Sequence, residues 1–251
     1  MILAFVNWKG GVGKSTCTVN TGAALAARGK RVLIVDADSQ QSAGLALGIA
    51  RNSLSPNLAD VLLHGTPARA AIVTAGPVDL LPAGENLASA DVLLSDVKGR
   101  ETVLKSALAG LGGQYDFILI DSPPSLGLIV VNVLTACEGF IVPTSPHFLS
   151  LEGIAGLMEA IGKLRGSFHV GELVGIVVTL ADYRKAVTGE VVGLLRAHFR
   201  AGMFRTEIRQ SVKLEEAPSY GKSILEYAPT SSAAESFREL AGEIIRRTHR
   251  H

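Results

Sequence analysis

The chain has 251 residues, 47% of them hydrophobic and 19% charged, and its formal net charge is +1. This composition excludes intrinsic disorder, and no apolar run reaches the about 18 residues of a membrane-spanning helix. The first residues, "MILAFVNWKGG", lack the basic start and the cleavage site of a signal peptide. Cys17 and Cys137 stand far apart without histidine partners, so we expect reduced cysteines in a cytoplasmic protein.

Short apolar segments alternate with longer helical patterns along the whole chain. Strands are predicted, in chain order, at 2–6, 31–36, 78–83, 115–121, 139–144 and 173–180, with a further candidate at 203–209. Helices are predicted at 14–28, 87–110, 150–164 and 187–199. Strands that are apolar throughout fit a parallel sheet covered on both faces. The alternation therefore predicts one doubly wound α/β domain over residues 1–251.

The last quarter of the chain differs from the rest in charge. From Arg184 to the end there are 12 Lys/Arg and 8 Asp/Glu residues, a net charge of +4. Such a surface suits nucleic acid or an anionic membrane, although on charge alone an ordinary solvated face is the simpler interpretation. Residues 211–230 form the longest irregular stretch, and Ser232 with Glu235 has the spacing of a capping box that starts a final amphipathic helix.

A glycine-rich turn, "NWKGGVGKST" (7–16), follows the first strand and opens a helix. It nearly matches the phosphate-loop pattern G-x-x-x-x-G-K-[ST], but Trp8 replaces the first glycine and Lys9 adds a second lysine. The remaining glycines allow backbone N–H groups to converge on an anion at the helix start. Lys14 is expected to reach the β- and γ-phosphates, and Ser15 to place its hydroxyl on Mg²⁺.

Aspartates stand at the ends of two apolar strands. Asp121 ends "FILID" and fits a Walker B acid that holds Mg²⁺. Asp36 and Asp38 lie two apart, so on an extended chain they point the same way. One of them is a candidate to orient the attacking water and the other to support the metal or the loop. Either could instead be a helix cap or a turn residue.

Four segments together resemble one family of proteins. "KGGVGKST", "VLIVDADSQQS", "ILIDSPPSLG" and "VKLEEAPSYGKSI" occur in the order and at about the spacing of the ParA/Soj/MinD group of P-loop ATPases with a deviant Walker A box. The resemblance covers essentially the whole chain and is closest to the ParA/Soj branch. It implies the SIMIBI type of P-loop NTPase fold, with ATP and Mg²⁺ as cofactors and slow basal ATP hydrolysis.

The resemblance also assigns roles to single residues. It implies that Lys9 reaches across a homodimer to the ATP of the other subunit and there also assists catalysis by stabilising transition-state charge. It further implies that Asp38 is the catalytic aspartate and that Lys14 assists catalysis. Magnesium ligands are implied at Ser15, Asp38 and Asp121. The implied nucleotide contacts are Lys9, Gly10, Gly11, Val12, Gly13, Lys14, Ser15, Thr16 and Asp36, with Thr179 and Arg209 at the adenine.

Nonspecific DNA is the second implied ligand. In the family, two basic segments contact DNA, and they correspond here to Arg184 and Lys213, with Lys185, Arg209 and Lys222 as additions to the patch. The implied function is partition or positioning of a chromosome, plasmid or large protein cargo, stimulated by a ParB-like activator. We therefore expect a cytoplasmic, nucleoid-associated protein.

One segment departs from the family pattern, and three other functions occur on the same fold. The family usually has "DPQG" where this chain has "DSQQ" (38–41). A MinD-like membrane switch is the main alternative, but the final helix is more simply a core-packing one, so membrane binding is not expected. An electron donor like the nitrogenase iron protein would need two closely placed cluster cysteines, which the chain lacks. A metabolic ligase on the same fold lacks support from any substrate motif.

Overall fold

Eight strands and twelve α-helices are found in the computed structural model, which describes residues 1–125 and 127–249. The strands are β1 (Ile2–Phe5), β2 (Val32–Asp36), β3 (Val73–Ala75), β4 (Val78–Leu81), β5 (Phe117–Asp121), β6 (Gly139–Thr144), β7 (Glu172–Ala181) and β8 (Met203–Arg209). The helices are α1 (Lys14–Ala26), α2 (Ser42–Ala46), α3 (Leu58–His64), α4 (Ala68–Ala71), α5 (Ala90–Leu93), α6 (Val103–Ala109), α7 (Leu128–Ala136), α8 (Ser150–Arg165), α9 (Ala186–Phe199), α10 (Val212–Glu216), α11 (Ile224–Tyr227) and α12 (Ser232–Thr248). Short 3-10 helices cover Glu85–Ser89, Arg100–Thr102, Arg200–Gly202 and Ala217–Tyr220.

The strands form one sheet in the order β3-β4-β2-β5-β1-β6-β7-β8. Every neighbouring pair is parallel except β3 and β4, which are antiparallel at the edge. The central strand β1 lies between β5 and β6. Strands β2 to β5 lie on one side of β1 and strands β6 to β8 on the other, so the strand order reverses direction at β1. In open parallel sheets, ligands bind at such a switch point, outside the carboxyl ends of the strands. The doubly wound, mostly parallel α/β fold is confirmed.

Two hydrophobic cores cover the two faces of the sheet. Successive side chains of a strand point to opposite faces, and β1 shows this directly. Leu3 and Phe5 belong to the core under α1 and α12, whereas Ala4 and Val6 belong to the core under α3, α6, α7 and α8. Both faces are therefore apolar, which explains why the central strands read as continuous apolar runs.

The last helix buries the apolar stripe that its sequence predicts. Phe237, Leu240, Ala241 and Ile244 are fully buried against the sheet. In the part of the chain that the structure describes, no helix combines the length and apolarity needed to span a membrane. The helix start differs from the prediction, because Ser232 is already helical and the cap is Ser231, whose extended backbone lets its hydroxyl accept from the Ala234 N–H.

Two other expectations were wrong. The stretch 87–110 is not one helix, because α5 ends at Leu93 and α6 begins only at Val103. The segment between them contains Gly99, whose backbone is left-handed with a φ of 76°. The stretch 211–230 is not irregular, since it contains α10, a 3-10 turn and α11. These elements are too short to show an apolar period. The edge strand β3, with three residues, escaped prediction for the same reason.

Candidate nucleotide-binding site

The glycine-rich loop leaves β1 and enters α1 at the centre of the sheet. Gly11 and Gly13 have left-handed backbones, with φ values of 71° and 80°, which a side chain disfavours. Gly13 immediately precedes Lys14, the first residue of α1, and no side chain of the described part of the chain caps that helix start. Its first backbone N–H groups therefore lack a capping partner, as an anion-binding loop requires.

Two side chains outside the glycine-rich pattern hold this loop in place. Asn7 donates from Nδ2 to the Pro143 carbonyl at 2.8 Å, and its Oδ1 accepts from the Lys9 N–H at 2.9 Å. Thr179, at the end of β7, donates its hydroxyl to the Val12 carbonyl at 2.8 Å. Sequence reasoning gave Asn7 no role. It placed Thr179 at the adenine, and that role stays a prediction.

We expect Thr179→Val to weaken ATP binding about fivefold while leaving the fold intact. Valine has the same shape but leaves the buried Val12 carbonyl without its donor, at a cost of about 1 kcal/mol to the loop conformation. Isothermal titration with ATP and Mg²⁺ measures the effect. Thr179→Ser keeps the hydroxyl and serves as the control. Equal affinities for the valine and serine variants would contradict the supporting role.

The two lysines of the loop have different surroundings. Lys14 is buried, and its Nζ donates to the Lys9 carbonyl at 3.3 Å. Burial lowers the pKa of the Lys14 ammonium, an effect opposed by the nearby carboxylates of Asp121 and Asp38. The Lys9 side chain is exposed and makes no hydrogen bond or ion pair within residues 1–125 and 127–249. Lys14 thus points inward at the loop, whereas Lys9 is available to solvent or to another molecule.

Two buried carboxylates lie side by side at the carboxyl ends of neighbouring strands. Asp36 of β2 and Asp121 of β5 are partners in the strand register. Burial raises the pKa of Asp36 to about 7, although both of its oxygens accept backbone hydrogen bonds, Oδ1 from Asp38 at 3.2 Å and Oδ2 from Gly44 at 2.9 Å. Through these bonds the Asp36 carboxylate holds the turn that follows β2.

Asp121 has unused acceptor capacity. Burial and the neighbouring Asp36 raise the pKa of this carboxyl well above its ordinary value, and the Ser15 hydroxyl beside it lowers that pKa in part. Thr18 donates to Oδ1 at 3.4 Å, while Oδ2 is buried with no hydrogen-bond partner among the described residues. A buried carboxylate oxygen without a partner, next to a hydroxyl, suits a hard divalent cation such as Mg²⁺.

The protein supplies only part of such a metal site. Among residues 1–125 and 127–249, no three His, Cys, Asp or Glu side chains are grouped so as to hold a metal. Mg²⁺ is commonly held by one or two carboxylates, with water and substrate phosphates as the remaining ligands. The residues present therefore fit Mg²⁺ that arrives with a nucleotide.

Asp38 follows β2 on the loop that leads into α2. The carboxylate is nearly buried, and its Oδ1 accepts the Gln40 N–H at 2.9 Å. Its Oδ2 has no hydrogen-bond partner among the residues that the structure describes. Asp38 also lies close enough to Asp121 and Lys14 to perturb the pKa of both groups. The structure thus brings Lys14, Ser15, Asp38 and Asp121 together at the carboxyl ends of the central strands.

The basic residues predicted to bind DNA are exposed but differ in their partners. Arg184 makes a bidentate ion pair with Asp182, at 2.7 and 2.9 Å, and the Lys185 Nζ lies 3.9 Å from the same carboxylate. The side chains of Lys213 and Lys222 form no ion pair within the described residues. Arg209 stacks over the Tyr183 ring, with 5.4 Å between the guanidinium carbon and the ring centroid.

The segment that carries Lys213 and Lys222 is joined to the nucleotide side of the sheet. Asn20 of α1 accepts the Ile224 N–H at 2.6 Å and donates to the Thr16 carbonyl at 2.8 Å. Gly221 packs so closely on Gly48, just after α2, that a Cβ at Gly221 would lie 2.6 Å from the Gly48 Cα. The predicted DNA-binding segment therefore rests directly on both α1 and the region following Asp38.

The chain is similar to known proteins over nearly its full length. A family model described as an AAA domain matches residues 1–170. The chain is 41% identical to the chromosome-partitioning ATPase Soj of Thermus thermophilus, over 98% of this chain and 95% of that protein. It is 39% identical to the chromosome partitioning protein ParA of Caulobacter vibrioides, over 98% of this chain and 94% of that protein.

A solved structure adds a view of the same fold with ligands. Cobyrinic acid a,c-diamide synthase from Mycobacterium smegmatis, with bound ADP and magnesium, superposes with a TM-score of 0.85 at 33% identity, over 99% of this chain and 95% of that chain. Together with the phosphate loop and the strand-end aspartates, the full-length similarity to Soj and ParA identifies the family. The chain belongs to the ParA/Soj family of partitioning ATPases.

Proposed function

We propose that this protein is an ATP-dependent switch ATPase that dimerises on ATP, binds DNA without sequence preference and positions a chromosome, plasmid or large protein cargo. The observation that carries the proposal is the different placement of the two loop lysines. Lys14 is buried near Asp38 and Asp121, whereas the Lys9 side chain is exposed. The proposal is tested by measuring ATP turnover, mass by light scattering and DNA binding, each with ATP, with ADP and without nucleotide.

The nucleotide site uses the chain's own groups in defined ways. The open N–H groups of the loop and the Lys14 ammonium bind the phosphates, and Ser15 and Asp121 would hold Mg²⁺. When bound, Mg²⁺ neutralises charge on the β- and γ-phosphate oxygens. Asp38 keeps Oδ1 on the Gln40 N–H and has Oδ2 available to orient a water molecule for attack. No strong base or arginine finger is evident among the described residues of one subunit, so slow basal turnover is expected.

The exposed position of Lys9 supports the proposed dimerisation. An ATP bound at an exposed face adds negative charge that would repel a second such face. A lysine donated by each subunit to the other's phosphates offsets this charge, so ATP becomes part of the interface. Loss of the γ-phosphate then weakens the dimer. A ParB-like protein is the proposed activator.

DNA binding is assigned to the basic segment on α10 and the turn that follows it. Among the residues that the structure describes, Lys213 and Lys222 form no ion pair, whereas Arg184 is paired with Asp182 within its own loop. Contacts to phosphates alone give sequence-independent, salt-sensitive binding. Because the segment rests on α1 and on the region after Asp38, a change at the nucleotide can reach it. Such a protein would be nucleoid-associated in the cytoplasm.

We expect Lys213→Glu to weaken ATP-dependent DNA binding about tenfold or more. The dimer carries the residue twice, so two phosphate contacts are lost. The slope of the logarithm of the DNA-binding constant against the logarithm of the salt concentration should therefore become shallower by about two. Fluorescence anisotropy with nonspecific duplex DNA over a range of salt concentrations measures both. Lys105→Glu, on α6 at the other face of the sheet, is the matched control. An equal loss of ATP affinity in Lys213→Glu would indicate misfolding and contradict a DNA-specific role.

Two alternatives are weaker. A MinD-like membrane switch needs an amphipathic helix with a free apolar face, but the apolar stripe of α12 is buried against the sheet. A metabolic ligase is suggested by the name of the Mycobacterium smegmatis protein. The relatives named as partitioning proteins are more similar, at 39% and 41% identity over nearly the whole chain. ATP-dependent DNA binding separates partitioning from both alternatives.

A further inference from the structure

The loop that carries Asp38 has an unusual backbone at its last residue. Gln41 has a φ of 56°, in the left-handed region that residues other than glycine seldom adopt. It stands where the pattern DPQG has glycine. The Gln41 N–H donates to the Asp38 carbonyl at 2.8 Å, and the Gln40 N–H donates to the Asp38 carboxylate. The position of the Asp38 side chain therefore depends on the conformation of this turn.

A side-chain pair closes this turn. Gln41 donates from Nε2 to the Asn52 Oδ1 at 2.6 Å, and the Asn52 N–H donates to the Gln41 Oε1 at 2.9 Å. Both ends of the Gln41 amide are used, and the residue is nearly buried. Asn52 is itself left-handed, with a φ of 53°, and its Nδ2 donates to the Glu85 carboxylate at 2.9 Å. Arg51 adds a bond from Nε to the Gln40 carbonyl at 3.2 Å.

We propose that Gln41 and Asn52 form a clamp that positions Asp38 for ATP hydrolysis. The inference rests on the proposed role of Asp38. Glycine at position 41 would adopt the turn without strain but would also leave it free to change, whereas the clamp selects one conformation by two reciprocal hydrogen bonds. The bonds donated by the side-chain amides run in one direction, from Gln41 Nε2 to Asn52 Oδ1 and from Asn52 Nδ2 to Glu85, because an ionised carboxylate at the end can only accept. The Asn52 backbone N–H donates in the opposite direction, to the Gln41 Oε1.

The first test removes the clamp without adding strain. Gln41→Gly and Asn52→Gly keep the positive φ accessible and delete the amides. Each is expected to lower the single-turnover rate of ATP hydrolysis about fivefold to tenfold, with ATP affinity changed less than about twofold. The double variant is expected to be no slower than the slower single one, because the two residues act as one unit. Wild-type rates, losses that multiply, or an equal loss of ATP affinity would each overturn the clamp.

The second test reverses the direction of the hydrogen bonds. Gln41→Glu places a carboxylate oxygen against the Asn52 Oδ1, and the two oxygens repel each other. If the Asn52 amide turns to donate to this carboxylate, its Oδ1 faces the Glu85 carboxylate instead. Hydrolysis is therefore expected to slow about as much as in Gln41→Gly. Glu85→Gln alone keeps an acceptor for Asn52 and stays within about twofold of the wild type. In the double variant, the amide introduced at position 85 can donate to Asn52, and Asn52 can donate to the carboxylate introduced at position 41. This reversed chain of hydrogen bonds should restore most of the rate, and no restoration would overturn the proposal.

Wild type and Asp38→Ala are assayed beside these variants. Turnover that is present in the wild type and lost in Asp38→Ala supports the proposed function, and an unaffected clamp variant then refutes the clamp alone. If Asp38→Ala hydrolyses ATP at the wild-type rate, the role of Asp38 and the clamp that depends on it both fail. Thermal melting of each variant separates a positioning effect from loss of the folded protein.

Discussion

Asp38→Ala is expected to bind ATP with wild-type affinity and to hydrolyse it about 10²-fold to 10⁴-fold more slowly. The range is that of a group that orients or accepts a proton from the attacking nucleophile. ATP affinity should persist because we expect the loop N–H groups and Lys14 to hold the phosphates, and Asp38 lies on a different element. A single-turnover assay with radiolabelled ATP gives the rate, and equilibrium titration gives the affinity.

The control for this prediction is Asp116→Ala. Asp116 precedes β5 at the opposite edge of the sheet and pairs with Arg31 on the surface. Its removal changes charge equally but leaves the nucleotide site untouched, so turnover should remain at the wild-type level. Asp38→Asn further separates two effects, because the amide keeps the shape and loses the charge. Retention of full turnover in Asp38→Ala would assign the water-orienting role to another group.

The strands were predictable because the sheet is covered on both faces. Seven strands are marked in the sequence by short runs that are mostly apolar throughout, and each was found within a few residues of its expected place. The edge strand β3 is only three residues long and pairs with β4 over those three residues, which is too short to stand out from the apolar residues that precede it. Helix boundaries were less accurate, since α5 and α6 are separated by a segment with a left-handed Gly99, a backbone angle that sequence patterning does not specify.

The candidate nucleotide site could be located from the sequence where its residues are close together in the chain. The loop glycines, Lys14 and Ser15 are close together in the chain, and strand-end aspartates follow recognisable apolar runs. The supporting contacts are not local. Asn7 bonds to a carbonyl 136 residues away, and Asn20 to an N–H 204 residues away. A lone polar residue gives no signal of such a partner until the fold has brought the two together.

The same limit explains why the charged surface was harder to interpret. Arg184 and Lys213 contribute equally to a count of basic residues, yet Asp182 lies against the first and no acid pairs with the second among the described residues. Net charge in a segment therefore overstates the charge that is available to a polyanion. Only the structure separates compensated from uncompensated cations.

Lys9→Ala is expected to abolish ATP-dependent dimerisation at protein concentrations where the wild type is fully dimeric. In a symmetric dimer the lysine acts twice, and each lost charge-assisted contact to phosphate is worth about 1.5–3 kcal/mol. The dimerisation constant should therefore fall about 10²-fold to 10⁴-fold. Light scattering with ATP and Mg²⁺ measures it, with Asp38→Ala as the common background so that hydrolysis does not consume the nucleotide.

The position of Lys9 makes this outcome specific to the dimer. Its N–H and carbonyl are engaged by Asn7 and Lys14, so the backbone is fixed, while the side chain has no partner within the described residues of its own subunit. Monomer affinity for ATP should change little, and Lys105→Ala should dimerise like the background protein. If Lys9→Ala instead lost ATP affinity in the monomer and still dimerised when saturated with ATP, the lysine would serve its own nucleotide. The ATP-bridged dimer would then need a different source of positive charge.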